Sequence, residues 1–207
     1  PQQNWVALSG SYAGSPDVHS VTVINSGLPE YEVYPAESGA QIAVTLLRGV
    51  NYISRRGDGP QLETPEAQCL GENTYRYALL ESAGGWEESR VWKEAWQFNA
   101  PLCAVQTAGA AERGLPAQLS FVRLEPDTLV VTALKRAEDD PGKIVLRFFN
   151  ISDQVAAGGF VHLRGAVSAA YANLNEEIQQ PLALDAQGGA GLKPIRPKEI
   201  VTLVFNI

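Results

Sequence analysis

Four groups of carboxylates in this chain are of the type that acid and base work at a glycosidic bond requires: Glu30/Glu32, Glu87/Glu88, Glu138/Asp139/Asp140 and Glu176/Glu177. Alternation along an extended 30–33 segment would put Glu30 and Glu32 on one face, which reads as solvent as readily as cleft. Glu87/Glu88 open a candidate helix, where the dipole favours acids, and Glu138 to Asp140 crowd a turn. The simpler reading of every pair is a solvated or capping role. His19 and His162 sit in separate strand-like runs, without the His or Cys-x-x-Cys spacing of a metal site, and read as structural. No G-x-S-x-G, G-x-x-x-x-G-K-[ST] or strand-borne G-x-G-x-x-G occurs, so catalysis has no visible home. Trp86, Trp92 and Trp96 could together form a stacking platform for a sugar. Trp92 and Trp96, one turn apart beside Val91 and Ala95, read instead as anchors of a helix on a sheet. Trp86 follows Gly84-Gly85 at a turn and is the ring expected to be most exposed. Asn150-Ile151-Ser152 fits a glycosylation sequon at a strand end and reads as inert.

The elements that must position these residues are strands. Val18 to Ile24, Ile42 to Leu47 and Thr74 to Leu80 carry β-type composition bounded by Gly, Pro, Asp or Asn. Arg55 to Gly71 holds too much Gly and Pro for a regular element and reads as a long ordered loop. Glu87 to Phe98 is the one helix candidate, with Val91, Trp92, Ala95 and Trp96 near helical spacing. From Ala104 to Ala117 the composition turns to small residues with Gly and Pro, the best linker in the chain. Seven short strands follow: Leu119 to Leu124, Leu129 to Leu134, Ile144 to Phe149, Phe160 to Leu163, Ala166 to Leu174, Leu182 to Leu184 and Ile200 to Phe205. Asp139 to Gly142 makes a tight turn between two of them, and the spacing predicts a compact β-sandwich.

Composition bounds the rest. A length of 207 residues suits one large all-β unit or two modules, and no apolar run reaches the ~18 residues of a membrane span. Sixteen basic against 23 acidic residues give a net charge of −7, with no basic cluster beyond Arg55-Arg56, which argues against nucleic-acid binding. Methionine is absent even at position 1, so the chain is expected to be part of something longer. Cys69 and Cys103 do not resemble a disulfide framework and are expected to be buried thiols in a reducing, cytoplasmic setting.

Certain stretches, in order, resemble the C-terminal β region of glycoside hydrolase family 38 α-mannosidases. They are Gly27-Leu28-Pro29-Glu30-Tyr31-Glu32-Val33, Thr45 to Arg48, Thr64-Pro65-Glu66-Ala67-Gln68-Cys69-Leu70-Gly71 and Tyr75 to Leu80. Glu94 to Leu102 is similar to the segment closing the family's β-supersandwich. Val131 to Asp139, Arg147 to Asn150, Asn173 to Glu177 and Arg196 to Leu203 are similar to its terminal sandwich. The resemblance implies an all-β region: part of a galactose-mutarotase-like supersandwich over 1–105, a linker over 106–117, a small terminal β-sandwich over 118–207, and one short helix.

The family's activity is retaining exo-mannoside hydrolysis, with an aspartate nucleophile and a divalent ion, usually zinc, in an N-terminal domain followed by a helical bundle. The His-x-Asp metal motif has no match here, since Ser20 and Val21 follow His19 while Leu163 and Arg164 follow His162. No catalytic residue, metal ligand or cofactor is therefore assigned to this chain, and its expected partners are the absent domains of the same polypeptide, mannosides through them, and a second copy. Substrate-edge candidates are Ser26, Glu30 and Trp86, the first of these standing where an arginine is expected in many relatives. The rival reading is a stand-alone carbohydrate-binding or protein-interaction module using Trp86 and the 55–71 loop.

Overall fold

A computed structural model describes residues 1–11, 15–37, 39–54, 57–106 and 116–207. It divides into two compact units, Pro1–Gln106 and Thr107–Ile207. The all-β reading holds, with 44% strand and a single α-helix among the described residues. Most of the linker expected over 106–117 lies outside the described residues. No described helix is long and apolar enough to cross a membrane.

In the first unit, strands β1 (Trp5–Ser11), β2 (Val18–Ser26) and β5 (Arg76–Ala83) form an antiparallel sheet in the order β1-β2-β5. Between β2 and β5 the chain makes a separate hairpin of β3 (Tyr31–Ala36) and β4 (Gly39–Val44). It then folds residues 50–54 back on 61–68, with Tyr52 bridging Glu63 and a 3₁₀ turn at Pro65–Gln68. Helix α1 (Val91–Asn99) starts later than its sequence pattern predicts, because 86–90 form a turn in which the Gly85 N–H donates to Glu88 Oε2 at 2.7 Å.

Pairing assigns the two faces of this sheet. Trp5 lies opposite Ile24, and its ring is 5.6 Å from that of Trp86, which stands 5.9 Å from Trp92 on α1. The helix therefore covers the face that carries Ser20, Thr22 and Ile24, all buried. The opposite face carries Val21, Val23, Tyr77 and Leu79, and there Val21, Tyr77 and Leu79 stay exposed, Leu79 at 71%.

The second unit is a two-layer sandwich. One sheet runs β11-β10-β13-β8-β7 and the other β12-β9-β6, built from β6 (Val122–Glu125), β7 (Leu129–Arg136), β8 (Lys143–Asn150), β9 (Phe160–Leu163), β10 (Ser168–Ala172), β11 (Ile178–Leu182), β12 (Gly189–Gly191) and β13 (Ile200–Asn206). Alternation along β8 and β13 aims Leu146, Phe148, Leu203 and Phe205 into one core with Val161, Leu163 and Ile195.

Four expectations are corrected. The strand placed at Leu182 to Leu184 ends at Leu182, because Asp185 caps the next turn by accepting the Gln187 and Gly189 N–H groups at 2.9 and 2.8 Å. β12 has no strand signal at all, since it is Gly189-Ala190-Gly191 and pairs only because β9 lies beside it. Both cysteines are exposed and free, because Cys69 caps the 3₁₀ turn in a left-handed conformation and Cys103 follows α1 in an irregular stretch. Trp96 is 41% exposed while Trp86 is half-buried, since α1 turns Val91, Trp92 and Ala95 toward the sheet and leaves Trp96 on its flank.

Acidic side chains knit the hairpin between β7 and β8 to the segment after β10. Lys135 Nζ is 2.7 Å from Glu176 Oε1 and 2.5 Å from Glu138 Oε1, and the Glu138 N–H donates to Glu176 Oε2 at 3.0 Å. The hydrogen bond from Lys135, then that from the Glu138 backbone, holds the Glu176 carboxyl below the usual glutamate range. A lowered folded-state pKa adds stability that is fully present above the unfolded value, about 4.3, and is lost as pH falls through the lowered value. Melting curves between pH 6 and 3 are expected to fall less steeply for Glu176→Gln than for the wild type. Equal slopes would show that this carboxylate does not set the acid limit.

Candidate functional site

The loop from Asn25 to Glu30 is tied to several neighbouring segments of the first unit. Asn25, next to the last residue of β2, is fully buried, and its Oδ1 accepts the Leu28 N–H at 2.9 Å across a turn in which Gly27 takes φ +79°. A left-handed residue is needed there, which glycine supplies without Cβ strain. The Asn25 N–H donates to Asn4 O at 2.8 Å, and Asn25 O accepts Asn99 Nδ2 of α1 at 2.9 Å. Gln2 holds the far side, its Nε2 donating to Leu28 O and its N–H to Pro29 O, each at 2.8 Å. Leu28 is buried beneath.

This scaffold leaves a small polar group outside. Ser26 is exposed and lies opposite Arg76 on β5, whose guanidinium stands 5.1 Å from the centre of the Phe98 ring. Glu30 is exposed, with Arg48 Nη1 3.9 Å from its Oε1. The Ser26 hydroxyl and Glu30 carboxylate of the loop, with the guanidinium groups of Arg76 on β5 and Arg48 after β4, can hydrogen-bond polar ligand groups but contain no nucleophile with a base beside it. Two of the three sequence candidates, Ser26 and Glu30, thus share one loop. Trp86 belongs to the indole run under α1, which takes up ring surface that stacking on a sugar would need. The sequence reading missed Arg76 and Asn99, because their meaning lies in cross-strand and helix-to-loop pairing rather than in local spacing.

Several of the other candidate acids have structural partners. Glu88 caps the turn before α1, Asp140 accepts the Gly142 N–H at 3.0 Å and pairs with Lys143, and Glu177 accepts Asn173 Nδ2. His162 Nε2 is 3.0 Å from Gln187 O, and His19 lies on the rim of a groove of about 570 Å³. That groove separates the uncovered sheet face from the β3–β4 hairpin and is lined by Leu8, Val21, Val23, Ile42 and Leu79.

Residues 128–203 match the family description "Glycosyl hydrolases family 38 C-terminal beta sandwich domain". The whole chain is also similar in structure to a family 38 protein from Enterococcus faecalis, with a TM-score of 0.70, 32% identity and 99% of this chain covered. The chain is a C-terminal region of glycosyl hydrolase family 38. A structure of an α-mannosidase from the same organism matches equally, with a TM-score of 0.71 and 32% identity over 99% of the chain. A candidate mannosylglycerate hydrolase of Halalkalibacterium halodurans is 31% identical over 193 residues, 91% of this chain. The family 38 region spans about a fifth of these proteins: 22% and 21% of the two structures and 19% of the third.

Proposed function

We propose that this family 38 region is the non-catalytic C-terminal part of a retaining α-mannosidase, whose nucleophile and divalent ion are held elsewhere in the same polypeptide. The observation that carries this reading is the match of nearly the whole chain to a fifth of much longer glycosidase structures at 32% identity. A substrate with a mannosyl group is common to the names of two relatives. The residues present do not fit a zinc site. Among the described residues no three His, Cys, Asp or Glu side chains gather around one point, and the two histidines belong to different units.

The proposed contribution is architectural. A three-stranded sheet with Val21, Tyr77 and Leu79 uncovered, and with β1 and β5 each paired on one edge only, suits burial against other strands of the parent. The same face would let two copies pair. An independent binding module is favoured less, since it would be expected to close this sheet. Within the parent, Ser26 and Glu30 are proposed to border the substrate mouth. The two exposed free cysteines support a reducing, cytoplasmic compartment.

The purified chain is expected to show no hydrolysis of an aryl α-mannoside, with or without added zinc, whereas the full-length parent is active. Zinc-dependent turnover by these 207 residues alone would overturn the reading. So would a parent that keeps full activity when the region is deleted.

A further inference from the structure

A polar cleft of about 300 Å³ opens at the end of the second unit's sandwich, where β10 stops and β13 begins. Its floor includes Tyr171, a buried ring on whose face the Lys193 ammonium rests, 4.7 Å from the centroid. The Lys193 N–H also donates to the Tyr171 hydroxyl at 3.1 Å, so the lysine backbone is fixed beside the cleft. Glu199 lines it too. The Glu199 Oε2 accepts the Arg196 N–H at 2.8 Å and Arg196 Nε at 3.2 Å. No described hydrogen bond or ion pair engages the Lys193 ammonium, the Gln179 amide or Glu199 Oε1. The hydroxyl of Thr202 accepts Arg147 Nε at 3.0 Å and keeps its proton to donate. Exposed Leu174 and Ile200 flank these groups with apolar surface.

This set of groups discriminates by charge. An anion drawn to Lys193 would meet the Glu199 carboxylate, whose bond from the Arg196 backbone holds it below the usual glutamate range. A cation drawn to Glu199 would meet Lys193. A neutral molecule that offers donors and acceptors on adjacent atoms satisfies both, and C–H faces suit the apolar flanks. The volume sits at the low end of small-ligand clefts, enough for one ring and not for a chain of them. We propose that this cleft is a binding site for a single neutral hexopyranose, distinct from the Asn25–Glu30 loop, with Lys193, Glu199, Gln179 and Thr202 reading its hydroxyls. The proposal rests on the cleft itself and is independent of the parent's activity.

The test is a titration of the isotopically labelled 207-residue chain with D-mannose, D-glucose and, separately, inorganic phosphate, followed by amide NMR. Saturable shifts are expected with at least one hexose and are expected to cluster on residues 171–174, 179, 193 and 199–202. Lys193→Met and Gln179→Ala should each weaken that affinity about three- to tenfold, the effect of losing one hydrogen bond. Gln179 is exposed, so its removal leaves the fold intact and keeps the test readable if Lys193→Met loosens the cleft. Absence of saturable shifts with both sugars, shifts outside these residues, or a response to phosphate in place of sugar would each overturn the assignment. None of those results would bear on whether the parent cleaves mannosides.

Discussion

Asn150→Ala is expected to lower the stability of the second unit by roughly 2–4 kcal/mol, more than an ordinary polar truncation, because one amide serves several backbone groups at once. Asn150 is fully buried at the end of β8. Its Nδ2 donates to Gln154 O at 2.7 Å and to Ile195 O and Arg196 O at 3.3 Å, and its Oδ1 accepts the Ser152 N–H at 3.1 Å. Its backbone adds bonds to Glu199 O and from the Lys198 N–H. The residue thereby joins the 152–154 turn to the segment leading into β13. Removing the amide takes a donor from the Gln154 and Arg196 carbonyls and an acceptor from the buried Ser152 N–H, while Ile195 O keeps the Ala156 N–H at 2.9 Å; a buried polar group left without a partner costs free energy. Asn150→Asp sharpens the test, since a carboxylate would face three carbonyl oxygens. That variant should be destabilised more at pH 7 than at pH 4, where protonation restores a donor. A loss under 1 kcal/mol for Asn150→Ala, read by urea unfolding, would show that water or backbone shifts replace these bonds.

The same residue shows why some of this protein was legible in the sequence and some was not. The strands with nearly continuous apolar runs, such as β8 and β13, announce themselves, because a central strand buried on both faces needs apolar residues along its length. The sequon reading of Asn150-Ile151-Ser152 took the site as inert from its place at a strand end, whereas the burial of Asn150 depends on what the Lys198 and Gln154 segments do in three dimensions. β1 and β3 passed without strong signals: Trp5–Ser11 ends in small polar residues, and Tyr31–Ala36 contains Pro35. Each is a strand because its neighbour supplies the pairing, a tertiary effect that overrides local preference.

For the candidate site, the 25–30 loop was reached through the family resemblance and not through a local signal, although the turn itself, a left-handed glycine after a capping asparagine, is a local event. The exposures of Trp86, Trp96, Cys69 and Cys103 were not legible, because each depends on where the chain goes next. Helix α1 begins at Val91 rather than Glu87, and its buried face is set by Val91, Trp92 and Ala95, which leaves Trp96 on the flank. Cys69 ends a single 3₁₀ turn on an exposed loop, a position where no core exists to receive a thiol.

In the intact chain, the first unit is expected to unfold at lower urea than the second, and the protein carries its own reporters for that order. All four tryptophans, Trp5, Trp86, Trp92 and Trp96, lie in the first unit, and the only tyrosine after residue 77 is Tyr171. Tryptophan fluorescence therefore follows one unit, while far-UV circular dichroism weights both. Among the described residues the buried apolar side chains of the first unit are Val6, Ile24, Leu28, Val91, Trp92 and Ala95. The second unit closes its two sheets over Leu146, Phe148, Val161, Ile195, Leu203 and Phe205, each nearly or wholly buried, with a further ring of partners around them. Apolar burial is the main favourable contribution to folding, at about 25 cal/mol per Å², so the unit with one bare sheet face has much less to offset its chain entropy. The fluorescence midpoint should precede the dichroism midpoint by about 1 M urea or more, given slopes of about 1–3 kcal/mol per M for units of this size. Residues 118–207 alone should keep a cooperative transition, and residues 1–105 alone should show a broad one. Coincident midpoints in the intact chain would mean that the units unfold as one, and the proposed role of the bare face as an interface for other parts of the parent would lose its energetic basis.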